Sequence, residues 1–86
     1  MTPASAEILA LKALGFLANS GDAADRFLAA SGADPIILQE LAGDPEFLAA
    51  VVDFLLSDEA LLVQFCEAEM LDPRTMHSVR HALPGG

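Results

Sequence analysis

Apolar side chains recur at three- and four-residue steps along most of the chain, and short turn-forming pieces interrupt them. Between Pro45 and Leu56 this spacing gathers Phe47, Val51, Phe54 and Leu55 on one side of a helix, with Leu48 and Val52 adjoining and Asp53 opposite. So wide an apolar arc predicts the central, most buried helix. The interruptions carry start and stop signals. Asp-Pro occurs at Asp34-Pro35, Asp44-Pro45 and Asp72-Pro73. Aspartate caps orphan backbone N–H groups, and proline at the first helical position sacrifices no intrahelical bond. Thr2-Pro3 reads the same way, Ser20 (or Asp22) and Ser57 are the expected caps elsewhere, and Gly32 and Gly43 stand where left-handed C-terminal residues belong.

These signals predict an all-α fold: a compact bundle of about six short helices, roughly 3–19, 22–31, 35–42, 45–56, 58–70 and 73–83. Residues 1–86 form one domain, with 84–86 a flexible tail. Connections of a few residues require successive helices to pack as neighbours. The second helix should bury Ala24, Phe27 and Leu28 and expose Asp22 and Arg26. The third should bury Ile37, Leu38 and Leu41, leaving Ile36 beside Glu40 on the outside. The fifth presents Leu61, Leu62, Phe65 and Cys66 inward, and the sixth Met76, Val79 and Leu83.

A shift of 38 residues aligns the two halves, approximately 10–45 and 48–83. Phe16-Leu17 falls on Phe54-Leu55, Phe27 on Phe65, Ala30 on Ala68 and Asp34-Pro35 on Asp72-Pro73. Leu38 meets Met76 and Leu41 meets Val79. The expectation is two duplicated three-helix units about a pseudo-twofold axis. Two copies are too few for a solenoid.

Composition supports the helical reading. Alanine (16) and leucine (14) supply 30 of the 46 apolar residues, and Tyr and Trp are absent. Against 13 acidic residues stand 4 basic ones, a net charge of -9 that argues against a general nucleic-acid binder. Cys66 is the only cysteine, which excludes an internal disulfide scaffold. The longest apolar run, Phe47 to Val52, falls far short of the ~20 residues of a membrane span. The first residues lack the basic start of a signal peptide, so a soluble cytoplasmic protein is expected.

Several segments resemble a known family: Ala13-Leu14-Gly15-Phe16-Leu17, Arg26-Phe27-Leu28, Asp44 through Leu56, Asp58-Glu59 and Leu71-Asp72-Pro73. They are similar to small bacterial helical proteins of domain-of-unknown-function family 3572, over about residues 8–83, with Asp44-Pro45-Glu46-Phe47-Leu48 the most distinctive part. The resemblance implies a bacterial, all-helical protein and carries over no catalytic residues.

Candidate chemistry is sparse. His77 and His81 sit one helical turn apart, a spacing that can aim two imidazoles at one metal, but no further ligand follows in that helix. Arg74, His77, Arg80 and His81 make the only basic cluster, set against ten carboxylates between 27 and 73. Cys66 faces the expected core, where a thiol acts as a small apolar group. Ile36, Leu56, Leu62 and Met70 lie on or beside outer arcs and could form an apolar patch with an acidic rim. The expected function is a non-enzymatic protein–protein interaction or adaptor module, without cofactor, that binds a protein partner or a second copy through that patch, with Arg74 and Arg80 as polar contacts. The alternative is a small metal- or ligand-binding regulator using His77 and His81. A nucleic-acid contact through the last helix is the weakest of the three.

Overall fold

Helix α1 (Pro3–Ala18) starts where Thr2 turns its hydroxyl back to accept from the Ser5 N–H at 3.2 Å. The same device opens α4 (Pro45–Leu56), where Asp44 accepts from Glu46 N–H at 3.0 Å. It also opens α6 (Pro73–Ala82), where Asp72 accepts from Arg74 N–H at 2.9 Å. Each cap is worth about 1 kcal/mol and settles a boundary from residues two or three positions apart. The remaining elements are α2 (Asp22–Ser31), the single turn α3 (Leu38–Leu41) and α5 (Glu59–Glu69). The computed structural model describes residues 1–32, 34 and 38–85, and of Leu38 and Gln39 the backbone alone. Among the described residues the fold is all-helical, with five helices of ten residues or more plus α3, and no strand. The expected six-helix bundle is thus five helices and a turn. The start of its third helix, with Pro35, Ile36 and Ile37, lies outside the described residues.

Three terminal signals resolve differently from expectation. The N-cap of α2 is Gly21, at φ 55°, with no side-chain cap bond. Ser20 instead donates its hydroxyl to the Phe16 carbonyl at 2.6 Å, closing the end of α1. Ser57 likewise closes α4 by donating to the Phe54 carbonyl at 2.7 Å, and Asp58 caps α5 by accepting from Leu61 N–H. In both linkers the connection is so short that the serine belongs to the helix before it. Gly43 does not take the left-handed conformation; Gly32 does, at φ 70°.

Met70 takes a backbone role that its residue type does not signal. It ends α5 at φ 57°, ψ 45°, and the Leu71 N–H reaches back to the Cys66 carbonyl at 2.8 Å. A side chain in this left-handed position costs an L-residue about 1–2 kcal/mol, which is why glycine usually holds it. Met70→Gly should therefore raise stability by roughly 1 kcal/mol, read as a higher urea midpoint by far-UV circular dichroism. A lower midpoint would show that the methionine side chain itself contributes.

The core lies between α1 and α4, with α6 packed on both, α2 against α1 and α4, and α5 against α4 and α6. α1 contributes Ala6, Ala10, Ala13, Leu14 and Leu17, and α4 contributes Leu48, Ala49, Val51, Val52 and Leu55. Phe65 is fully enclosed and meets Phe16 edge-on at 5.5 Å, while Phe27 meets Phe54 at 5.2 Å and Phe47 at 5.8 Å. The faces of α5 and α6 are those expected. On α2 the buried pair is Ala23 and Phe27, with Ala24 and Leu28 half-buried. No polar side chain is buried among the described residues.

Candidate functional site

The basic residues of α6 are committed within the chain. Arg74 folds over its own helix start, where Nη2 donates to Asp72 Oδ2 at 2.9 Å. The Arg74 side-chain hydrogen bonds, its backbone N–H and its charge together hold the Asp72 carboxyl below its ordinary range. Arg80 donates from Nε to Asp53 Oδ1 at 2.7 Å and from Nη1 to the Pro84 carbonyl at 2.9 Å. That arginine ties α6 to the outer side of α4 and to the C-terminal turn, so it is a brace, not a contact held out for a partner. Arg26 reaches Asp22 and Asp58, and Lys12 stands 3.7 Å from Glu69. Each of the four cations on the chain has a carboxylate neighbour, so the basic patch expected on α6 is locally neutralised.

His77 and His81 are exposed and line an open depression of about 430 Å³ with Met1, Ser78 and Ala82. Among the described residues no third His, Cys, Asp or Glu joins them to make a metal-ligating group. Two imidazoles alone fall short of the three or four protein ligands that zinc sites use. Cys66 is buried, and removal from water, followed by the charge of Asp72, pushes its thiol upward, away from the reactive thiolate.

The expected apolar patch divides. Leu62 is only 7% exposed and belongs to the core, because α5 lies with Leu61 and Leu62 both toward its neighbours. Leu56 is half-buried against that core, Ile36 lies outside the described residues, and Met70 alone is fully open, at 93%. The other large apolar side chains left exposed among the described residues are Val63 on α5, at 39%, and three on α1 and its flank: Met1, Ile8 at 57% and Leu11 at 42%. Ile8 and Leu11, with exposed Ala4, Gly15 and Ala18, run along α1 on the side away from the core. Glu7 and Lys12 are the only charged side chains in α1.

The sequence match to the family described as protein of unknown function (DUF3572) extends over residues 3–86. The chain belongs to the DUF3572 family. No curated protein and no solved structure matches it. The surfaces of this DUF3572 protein therefore have to be weighed on their own chemistry. A second groove, of about 280 Å³, lies between α2 and α4 and is lined by Phe27, Ala30, Ala50 and Phe54 with Asp53 at its side. The Asp53 carboxylate is already held by Arg80. Among the described residues no helix is long and apolar enough to cross a membrane.

The α1 stripe is present in the sequence pattern. Met1, Ala4, Ile8, Leu11, Gly15 and Ala18 follow alternating steps of three and four. The sequence does not single it out, because Ala6, Ala10, Ala13 and Leu17 follow the same steps two residues out of phase. Periodicity finds both stripes and cannot say which one faces inward.

Proposed function

We propose that this DUF3572 protein is a non-enzymatic protein–protein interaction module whose docking surface is the outer face of α1. The observation that carries this reading is the exposure of Ile8 and Leu11 on a helix whose opposite face is already packed. A helix serving only its own core would carry polar residues there. Isolated exposed leucines are ordinary, but an aligned stripe along a complete helix is the form taken by helix-docking surfaces. Contacts by Arg74 and Arg80 have no part in this reading, since both are engaged within the chain.

A photoreactive amino acid placed at Ile8, at Leu11 or, as control, at exposed Gln64 tests the surface in cells that make the protein. Discrete adducts are expected from the two α1 positions and not from the α5 position. Equal labelling from all three, or none from α1, overturns the assignment.

The two halves of the chain read best as copies of one helix triplet. Ala10, Ala13, Leu14 and Leu17 are buried, and so are Leu48, Val51, Val52 and Leu55, each 38 residues later. The same shift converts the Phe16–Phe65 contact into the Phe54–Phe27 contact with the halves exchanged, which is how a twofold axis acts. One turn at α3 against ten residues in α6 is the main departure.

A further inference from the structure

We propose that the occupant of the α1 face is a second copy of this chain, whose α1 lies parallel to the first in a short two-stranded coiled coil about a twofold axis. This rests on the interaction-surface reading above and names the partner. Within the helix, exposed Ile8 and Gly15 stand seven residues apart, and exposed Ala4, Leu11 and Ala18 recur every seven between them. These are the a and d positions of a heptad repeat, the spacing at which two helices interlock.

Charge decides the partner and the direction. In that register Glu7 occupies a g position and Lys12, five residues on, the following e position. Parallel helices bring g of one chain beside the next e of the other, so Glu7 faces the second copy's lysine at position 12 twice, once on each side of the axis. An antiparallel pair would set g against g and e against e, which in that register puts Glu7 beside the second copy's leucine at position 14 and Lys12 beside its serine at position 5, with no opposite charge to meet either. Lys12 would exchange Glu69 for Glu7 of the second copy at little cost, because its contact with Glu69 is long, at 3.7 Å, and the side chain is about half exposed at 52%.

Two further observations agree. Residues 1–19 hold one acid and one base, Glu7 and Lys12, so the whole net charge of -9 lies on the rest of the chain. An axis running beside α1 therefore joins the neutral surfaces and sends the acidic bodies to opposite sides. Gly15, exposed in the last turn of α1, has nothing within 4 Å of where a Cβ would stand. Its own chain thus supplies no crowding to explain a residue that costs a helix about 1 kcal/mol relative to alanine, whereas a closely approaching second helix does. Lipid is a poorer occupant, since the stripe has no basic rim to meet anionic headgroups.

Sedimentation equilibrium on the full chain, from about 1 to several hundred micromolar, tests the proposal, because a seam this short should associate weakly. The wild type is expected to pass from monomer to dimer. Ile8→Asp should weaken dimerisation at least about tenfold with unchanged helical circular dichroism. Glu7→Lys should weaken it, and the double exchange Glu7→Lys with Lys12→Glu should restore it. Direction is read from Ala18→Cys under mild oxidation, with the wild type controlling for Cys66. Parallel helices bring the two introduced thiols together, whereas an antiparallel seam pairing residue 18 with residue 1 holds them ~25 Å apart. A wild type that stays monomeric throughout, a Glu7→Lys variant that dimerises as before, or an Ala18→Cys protein that never cross-links overturns the proposal. Photo-adducts from α1 to a different protein, beside a monomeric wild type, would remove the second copy while leaving the interaction surface in place.

Discussion

Phe65→Ala is expected to remove about 3–5 kcal/mol of stability, the upper range for truncation of a core side chain. Phe65 is the largest of the fully enclosed side chains, at 0% exposure, and its ring contacts Phe16 edge-on at 5.5 Å. Truncation leaves an aromatic-sized void and forfeits the ring pair, itself worth about 1 kcal/mol. Domains of this size hold only about 5–15 kcal/mol in total, so the variant should be partly unfolded on modest warming. Far-UV circular dichroism in urea is the suitable probe, because the chain has no Trp or Tyr to report by fluorescence. A loss under about 1.5 kcal/mol would mean that α5 can collapse into the space, and the ring would then not be the keystone between α1 and α5.

Ala10→Leu is expected to cost about 1–3 kcal/mol by overpacking. Ala10 is fully enclosed on α1, between Ala6 and Ala13, which are enclosed as well. Leucine is nearly as good a helix former as alanine, so helix α1 itself loses almost nothing. The cost arises entirely from the elements that α1 packs against. Ala4→Leu, on the exposed side of the same helix, is the internal control and should stay within about 0.5 kcal/mol. Both variants are compared in urea at low micromolar concentration, where a weak dimer is dissociated. Equal effects from the two substitutions would mean that the inner and outer faces of α1 have been assigned the wrong way round.

Much of the fold is legible because its decisive signals are local. An aspartate followed by proline specifies a helix start through one side-chain bond and one fixed dihedral, and α4 and α6 begin where Asp44 and Asp72 place them. On α4, Asp53 does mark an exposed position, but the inner face is turned from the expected one: Leu48, Ala49, Val51, Val52 and Leu55 are buried, while Phe47 and Phe54 are half-buried against Phe27 of α2. Ser20 and Ser57 show where local reading fails. Each can cap the helix that follows or close the helix before it, and only the path of the linker selects the second.

The candidate site was much less legible. Arg80 looks like an exposed cation in the last turn of a helix until Asp53, 27 residues earlier, is brought beside it. Arg26 is likewise joined to Asp58 across 32 residues. Leu62 and Leu56 are the same residue type near adjoining helix ends, yet Leu62 is enclosed and Leu56 half-covered.

Helix α1 draws the line most clearly. Its amino acids alone specify a helix from Pro3 to Ala18 and supply two apolar stripes with the same spacing. Hydrogen bonds between neighbours four apart suffice for the first, because they close within the helix itself. Choosing the stripe of Ala6, Ala10, Ala13 and Leu17 for the core required α4 and α6, which arrive from the other half of the chain. Small side chains on that side let those helices enclose it, so the bulkier Ile8 and Leu11 were left facing outward. Burial is a property of the surfaces that meet, and a single strip of sequence holds only one of them.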